Sequence, residues 1–245
     1  MQAVILCGGR GTRLAALYPD CPKALAPISG RPFLAWQLDW LARGGCDRIH
    51  LAAGHRAAQI ADWLAGQPPG RAVTISREPR PLDTAGALAQ CASWLTDELV
   101  VVCNGDSLLP RLDWPAFLTT GIPRAADARL VLAPVAGASR YGAVHCDAAD
   151  RITAFGEKTA RAAGWVNGGV YLLRKKLIET WPADEPLSLE RQVFPALAAA
   201  GRLYAHRAPP PLLDMGTPDG CAALEQWLDA GRPTGQGDAM EKSDA

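Results

Sequence analysis

Gln2-Ala3-Val4-Ile5-Leu6-Cys7-Gly8-Gly9-Arg10-Gly11-Thr12-Arg13-Leu14 opens the chain, and Pro22-Lys23-Ala24-Leu25-Ala26-Pro27 follows soon after. The first six of these residues are an apolar run of strand length. The run breaks into Gly8, Gly9 and Gly11. Such a backbone folds tightly and can turn several N–H groups to one side, making a nest for phosphate oxygens. Thr12 adds a hydroxyl, and Arg13 and Lys23 add two cations. A tight turn with solvated charges is the plainer alternative, but it leaves the hydroxyl and both cations without a reason. Two other glycine motifs are excluded. The dinucleotide fingerprint G-x-G-x-x-G needs glycine where Leu14 stands, and the G-x-x-x-x-G-K-[ST] loop has no counterpart in the chain.

With 245 residues, 49% of them hydrophobic, the chain suffices for one large α/β domain. Its formal net charge is zero and its pI is about 6.9. No basic block marks a nucleic-acid partner, so anion binding must come from individually placed cations. The seven cysteines are scattered without C-x-x-C spacing, which reads as reduced thiols of a cytoplasmic protein. The opening apolar run is too short to cross a membrane and carries no leader pattern.

Taken in order, the spacing predicts a helix over 33–43, stopped by Gly44-Gly45, then a strand over 47–54, a helix over 56–65 and a strand over 72–76. This β-α-β-α-β order implies a parallel sheet with right-handed crossovers. His50 reads as a strand residue on a semi-exposed face, and His55 as a satisfied loop histidine. A helix is expected from about residue 84 to 94, with Asp83 or Thr84 as its cap. Glu98 to Cys103 is the clearest buried strand. Beyond it, a strand at 128–135, a stretch over 139–144 leading into another, and strands at 151–157 and 165–173 succeed one another with little helix between them, implying a mixed or antiparallel extension. Ser188 caps a helix running to about 200, and 203–206 is a short strand. Thr217 and Pro218 start a last helix over 219–228. From Gly231 the composition reads as a disordered tail, leaving 1–230 as one domain. The expected class is α/β, Rossmann-like, with a mixed, mainly parallel sheet flanked by helices.

Asn104-Gly105-Asp106 closes the strand at 98–103. A carboxylate just past the carboxyl end of a central parallel strand lies where open α/β sheets bind ligands. Mg²⁺ takes one or two carboxylates plus phosphate oxygens, which suits Asp106; an ordinary turn is the alternative.

The opening Gly-Gly-x-Gly-Thr-Arg-Leu with its later Pro-Lys resembles the signature of the sugar-1-phosphate nucleotidyltransferases, as does Asn104-Gly105-Asp106. The resemblance extends over about residues 1–230. It implies attack of a sugar 1-phosphate on the α-phosphorus of a nucleoside triphosphate, with Mg²⁺ as cofactor and pyrophosphate as leaving group. In that scheme Arg13, Lys23, Asp106 and Asp214 are catalytic. Asp106 and Asp214 carry the metal; an electrostatic cap near a helix N-terminus is the alternative for Asp214. Gly8, Gly9, Gly11, Thr12 and Asn104 hold the nucleotide. Thr84 and Gly86 belong to a loop touching the nucleobase, and Asp83 replaces a glycine usual there. Gly142, Glu157, Lys158, Asn167 and Gly168 hold the sugar phosphate; Glu157-Lys158 read alone is a surface pair. Glu190 has a structural counterpart in the family.

Residues 20–34, 81–86 and 167–169 look most like D-glycero-α-D-manno-heptose 1-phosphate guanylyltransferases, which implies GTP as donor and a place in lipopolysaccharide, capsule or S-layer glycan precursor synthesis. Mannose-1-phosphate guanylyltransferases and hexosamine or muramate 1-phosphate uridylyltransferases are the alternatives. A non-catalytic nucleotide-sugar-binding subunit should have lost a metal carboxylate or a signature cation, and none is missing. Homo-oligomerisation stays open.

Overall fold

The computed structural model describes residues 1–12, 14, 17–68, 70, 72–135, 142–156 and 164–231. Arg13, Glu157, Lys158 and the segment after Gly231 lie outside the described residues. In chain order the elements begin with β1 (Gln2–Cys7), β2 (Pro27–Ile28), β3 (Arg31–Pro32), α1 (Phe33–Arg43), β4 (Arg48–Ala53), α2 (Ala57–Ala65), β5 (Ala72–Arg77), α3 (Asp83–Gln90) and β6 (Leu99–Asn104). Then come β7 (Ser107–Leu108), α4 (Trp114–Thr120), β8 (Ala128–Val135), β9 (Val144–Cys146), β10 (Ile152–Phe155), β11 (Gly164–Arg174), α5 (Lys175–Ile178), α6 (Phe194–Ala199), β12 (Leu203–Arg207), β13 (Leu213–Asp214) and α7 (Pro218–Asp229).

A seven-stranded sheet runs in the order β12-β8-β11-β6-β1-β4-β5. The pairs β1–β4, β1–β6, β4–β5 and β8–β12 are parallel, whereas β11 is antiparallel to both β6 and β8. The sheet is thus mixed and mainly parallel, as the residue pattern predicts. β1 lies between β4 and β6, so the chain leaves its carboxyl end toward both sides. A crevice opens at such a switch point.

Helices cover both faces, which is why β6 can be apolar without interruption. Along it, Val101 and Cys103 join Phe33, Leu38, Trp40, Trp114, Phe117 and Leu224 on one face. Val100 and Val102 join Leu88, Leu130, Tyr171, Phe194 and Leu197 on the other.

Local chemistry explains several ends. Thr217 accepts from Gly220 N at the start of α7, and Ser188 accepts from Arg191 N, both as expected. The Ser188 helix differs in form, since a π-helical turn over Leu189–Val193 precedes α6. The helix expected to run to 94 ends at Gln90 and is followed by a 3₁₀ turn over Ala92–Trp94. Neither Asp83 nor Thr84 is its cap; Leu82 holds that position with no side-chain bond. Asp83 has φ 60°, the left-handed conformation that glycine supplies most easily and Asp tolerates, so the backbone shape survives the exchange. α4 has no counterpart in the sequence reading, although Asp113 accepts from Ala116 N and Pro115 lies in its first turn.

His50 is a second correction. It is 5% exposed rather than semi-exposed. β4 lies inside the sheet, and the ring nitrogens meet Thr74 Oγ1 and Ser76 Oγ of β5 at 2.8 and 2.9 Å. Burial lowers the His50 pKa to about 4. The cysteines are free thiols, five of them buried. No described helix is long and apolar enough to cross a membrane.

Candidate functional site

At the carboxyl ends of β1, β4, β5 and β6 lies a cleft of about 790 Å³. Gly8, Gly9, Gly11, Thr12, Lys23, Thr84, Asn104 and Asp106 line it, so eight of the residues singled out in the sequence meet in one place. Gly11 has φ 59°, and a Cβ there would come 3.0 Å from Lys23 Cβ. Glycine therefore both makes the loop's turn and admits the lysine stem. His55 donates its N–H to Gly8 O at 3.1 Å and also borders the cleft. Arg10, Lys23, Arg77 and Arg80 line it together with the carboxylates Glu78, Asp83 and Asp106. A chain of zero net charge thus concentrates cations locally.

Lys23 Nζ lies 2.6 Å from Asp106 Oδ2, with the two side chains 15% and 32% exposed. Asp106 Oδ1 accepts from Ser107 Oγ at 3.1 Å. The two-residue pairing of β7 with β13 sets Asp214 opposite Ser107. Met215 N then donates to Asp106 O at 2.9 Å, and Gly216 N to Asp214 Oδ1 at 2.7 Å. The segments that carry Asp106 and Asp214, 108 positions apart in sequence, are thereby tied together through their backbones, with Asp106 and Gly216 lining the cleft. Among the described residues no group of three or more His, Cys, Asp or Glu side chains could cage an ion. A pair of carboxylates completed by phosphate oxygens is a donor set that suits Mg²⁺, and the chemistry of Asp106 and Asp214 matches it.

Other predicted residues are held differently. Gly86 is buried in α3; its N–H goes to Leu187 O at 3.1 Å, and a Cβ would come 2.5 Å from Glu185 O. It serves helix packing and does not line the cleft. The Thr84 hydroxyl donates to Glu190 and accepts from Leu189 N, both at 2.8 Å, tying α3 to the Ser188 segment. Asn167 Nδ2 donates to Tyr171 Oη at 3.1 Å, and Asn167 Oδ1 accepts from Gly169 N at 2.9 Å. Tyr171 Oη lies 3.4 Å from both Asn104 Oδ1 and Glu190 Oε1. Burial, with the Glu190 charge adding, holds the Tyr171 pKa well above its ordinary value, so this chain of contacts stays protonated at the phenol. β11 shifts register between Asn167 and Tyr171. There Gly168 abuts Val131 O, and Gly169, at φ 72°, abuts Ser107. Gly142 lies against Gly156 O at the base of the β9–β10 ribbon.

Glu78 is the cleft residue that the sequence reading passed over. It stands one residue past the end of β5, an edge strand, as Asp106 stands two residues past the central strand β6. Its Oε2 accepts from Leu82 N at 3.0 Å. Its Oε1 lies over Gly8, 2.2 Å from where a Cβ would stand. Burial raises its pKa, and nearby Asp83 raises it further against the Leu82 hydrogen bond. Cys7 also borders the cleft, but burial pushes its thiol up to about 12, so it is no thiolate nucleophile at neutral pH.

The model of the family described as Nucleotidyl transferase matches residues 2–243. A D-glycero-α-D-manno-heptose 1-phosphate guanylyltransferase from Aneurinibacillus thermoaerophilus is 32% identical over 219 residues, covering 89% of this chain and 94% of the relative. A mannose-1-phosphate guanylyltransferase from Mycobacterium tuberculosis is 34% identical over 223 residues, covering 89% of this chain but 62% of the relative. Among solved structures, HddC from Yersinia pseudotuberculosis complexed with GMP-PN superposes with a TM-score of 0.82 at 30% identity, covering 93% of this chain and 99% of that one.

Proposed function

The chain belongs to the nucleotidyl transferase family, and from that premise we propose that it transfers a guanylyl group from GTP to D-glycero-α-D-manno-heptose 1-phosphate, releasing pyrophosphate. The observation that carries the reading is the Lys23–Asp106 contact beside the glycine loop, inside one cleft that Glu78 also lines. The loop and Lys23 suit a triphosphate. A carboxylate suits guanine, whose N1–H and 2-amino group are donors, whereas adenine, uracil and cytosine each present a different edge. The 32% identical heptose 1-phosphate guanylyltransferase supports the sugar. The mannose-1-phosphate enzyme, at 34%, supports a second reading with the same donor and reaction.

Two anions must meet in this reaction, and their repulsion is the barrier to lower. The sugar phosphate is already ionised, so no general base is required; positioning and charge carry the catalysis. Mg²⁺, held by Asp106 and Asp214 with phosphate oxygens, would neutralise phosphate charge and polarise the α-phosphate. Lys23 offers an ammonium within the same site. The N–H groups of the Gly8–Thr12 loop hold phosphate without adding mobile charge. Arg13 and Lys158, outside the described residues, take transferring-phosphate and sugar-phosphate roles by resemblance to the family. Asn167, Gly168 and Gly142 are assigned to the sugar side on the same ground. The sheet shared by both halves supports 1–230 as one catalytic unit. The free, mostly buried thiols support a reducing, cytoplasmic setting.

The test is pyrophosphate release with Mg²⁺ across GTP, UTP, CTP, ATP and dTTP, each crossed with heptose, mannose, glucose and N-acetylhexosamine 1-phosphates. Release with GTP and the heptose phosphate is expected. Preference for another pair would overturn the substrate assignment, and no release with any pair would overturn the activity.

A further inference from the structure

Gln37 lies on the face of α1 that buries Phe33, Leu34, Leu38, Trp40 and Leu41. It is 0% exposed. Its Nε2 donates to two main-chain carbonyls, Asn104 O at 2.9 Å and Ser107 O at 3.0 Å. These carbonyls flank Gly105 and Asp106 on either side. One turn along the helix, Trp40 Nε1 donates to Leu109 O at 3.1 Å. The amide oxygen of Gln37 is buried without a hydrogen-bond partner. Turning the amide over would set that oxygen against both carbonyls, so the orientation is fixed by the loop. An orphaned buried acceptor is destabilising. A leucine would avoid that cost on this apolar face. What leucine could not do is bind both flanks of the loop at once.

We propose that Gln37 is a positioning residue that holds the Asn104–Ser107 loop so that the Asp106 carboxylate meets its ion and Lys23; this rests on the reading of Asp106 as a metal carboxylate. The loop is gripped elsewhere by Gly105 N donating to Leu6 O and by Met215 N donating to Asp106 O, both at 2.9 Å. Gln37 adds a grip on the side of the loop facing α1. Contacts that orient a ligating side chain this way are worth about 10–100-fold in metal affinity or activity when removed.

The experiment uses the full chain with Gln37→Met and Gln37→Glu. Calorimetry would measure the affinity for a non-hydrolysable GTP analogue with Mg²⁺ and with EDTA, alongside steady-state turnover. In Gln37→Met the Mg²⁺-dependent gain in nucleotide affinity should fall about 10-fold or more, with the EDTA affinity unchanged. Gln37→Glu keeps the shape and can donate one bond when protonated. Its Mg²⁺-dependent gain should therefore lie between the two and be larger at pH 6 than at pH 8, relative to the wild-type protein. A folded Gln37→Met that keeps the gain within twofold overturns the proposal. If Gln37→Met does not fold, a pH-independent gain in Gln37→Glu overturns it instead. Asp106→Asn separates the two levels. If it keeps the Mg²⁺-dependent gain, the metal reading of Asp106 falls; if it loses the gain while Gln37→Met keeps it, only the positioning role falls.

Discussion

Replacing Glu78 by Gln should weaken GTP selectively. The substitution keeps size and shape, and the amide oxygen can still accept from Leu82 N, now at 3.0 Å from Glu78 Oε2. What changes is the edge presented over Gly8: a charged acceptor becomes an amide that places N–H donors toward guanine's own donors. A hydrogen bond to a charged group contributes about 1.5–3 kcal/mol. Lost from the transition state, that is a fall of about 10- to 150-fold in kcat/KM for GTP. UTP has an acceptor at the corresponding edge and should lose less or gain. The assay is continuous pyrophosphate detection for GTP and UTP with both proteins, at fixed sugar phosphate and Mg²⁺, with thermal melts to confirm equal folding. An unchanged GTP-to-UTP ratio in a folded Glu78→Gln would refute the assignment of Glu78 to the base.

The same residue predicts a pH effect. Because burial raises its pKa above the ordinary 4.5, kcat/KM for GTP should fall on the acid side through an ionisation above that value, and Glu78→Gln should lack this limb in a pH–rate profile. Asp106→Ala, and Arg13→Ala by its family role, should each cost about 10²–10³ in turnover, the effect of removing one such stabilising contact; stopped-time product assays showing near-normal turnover would contradict those roles. His50 titrates near 4 when folded against an ordinary 6.5, so the neutral ring favours the fold. Its stabilisation is complete above pH 6.5 and drains away as pH falls toward 4, by on the order of 1–3 kcal/mol. Melting temperature against pH should slope less steeply over this window in His50→Gln than in the wild-type protein.

Which parts were legible follows from what sequence pattern can encode. β1 and β6 are continuous apolar runs because both their faces are covered, and a run of that kind survives in one dimension. The turn at Gly11 is legible because its φ of 59° is a conformation glycine supplies most easily. Asp214 is another matter. It reaches Asp106 through β7 and β13, each two residues long, too short to leave any periodicity, so family resemblance alone pointed to it. Glu78 escaped the positional rule applied to Asp106, because that rule concerns a central strand and β5 is an edge strand. Gln37 is one polar residue on an apolar helix face, and its partners are carbonyls that no side-chain pattern reveals. Gly86 shows the converse. Its glycine is required by the backbone of Glu185 and Leu187, a packing demand indistinguishable in sequence from a ligand contact. His50 was misplaced because alternation along β4 does not show that β5 will supply two hydroxyls to bury it.

The central claim is that the α-phosphorus of the nucleotide is transferred to a sugar phosphate. GTP labelled at its α-phosphate, incubated with the protein, Mg²⁺ and D-glycero-α-D-manno-heptose 1-phosphate, tests it directly. The account predicts that the label moves into a nucleotide-sugar in step with unlabelled pyrophosphate. Label retained in GTP, or recovered as GMP or GDP with no sugar attached, would contradict it.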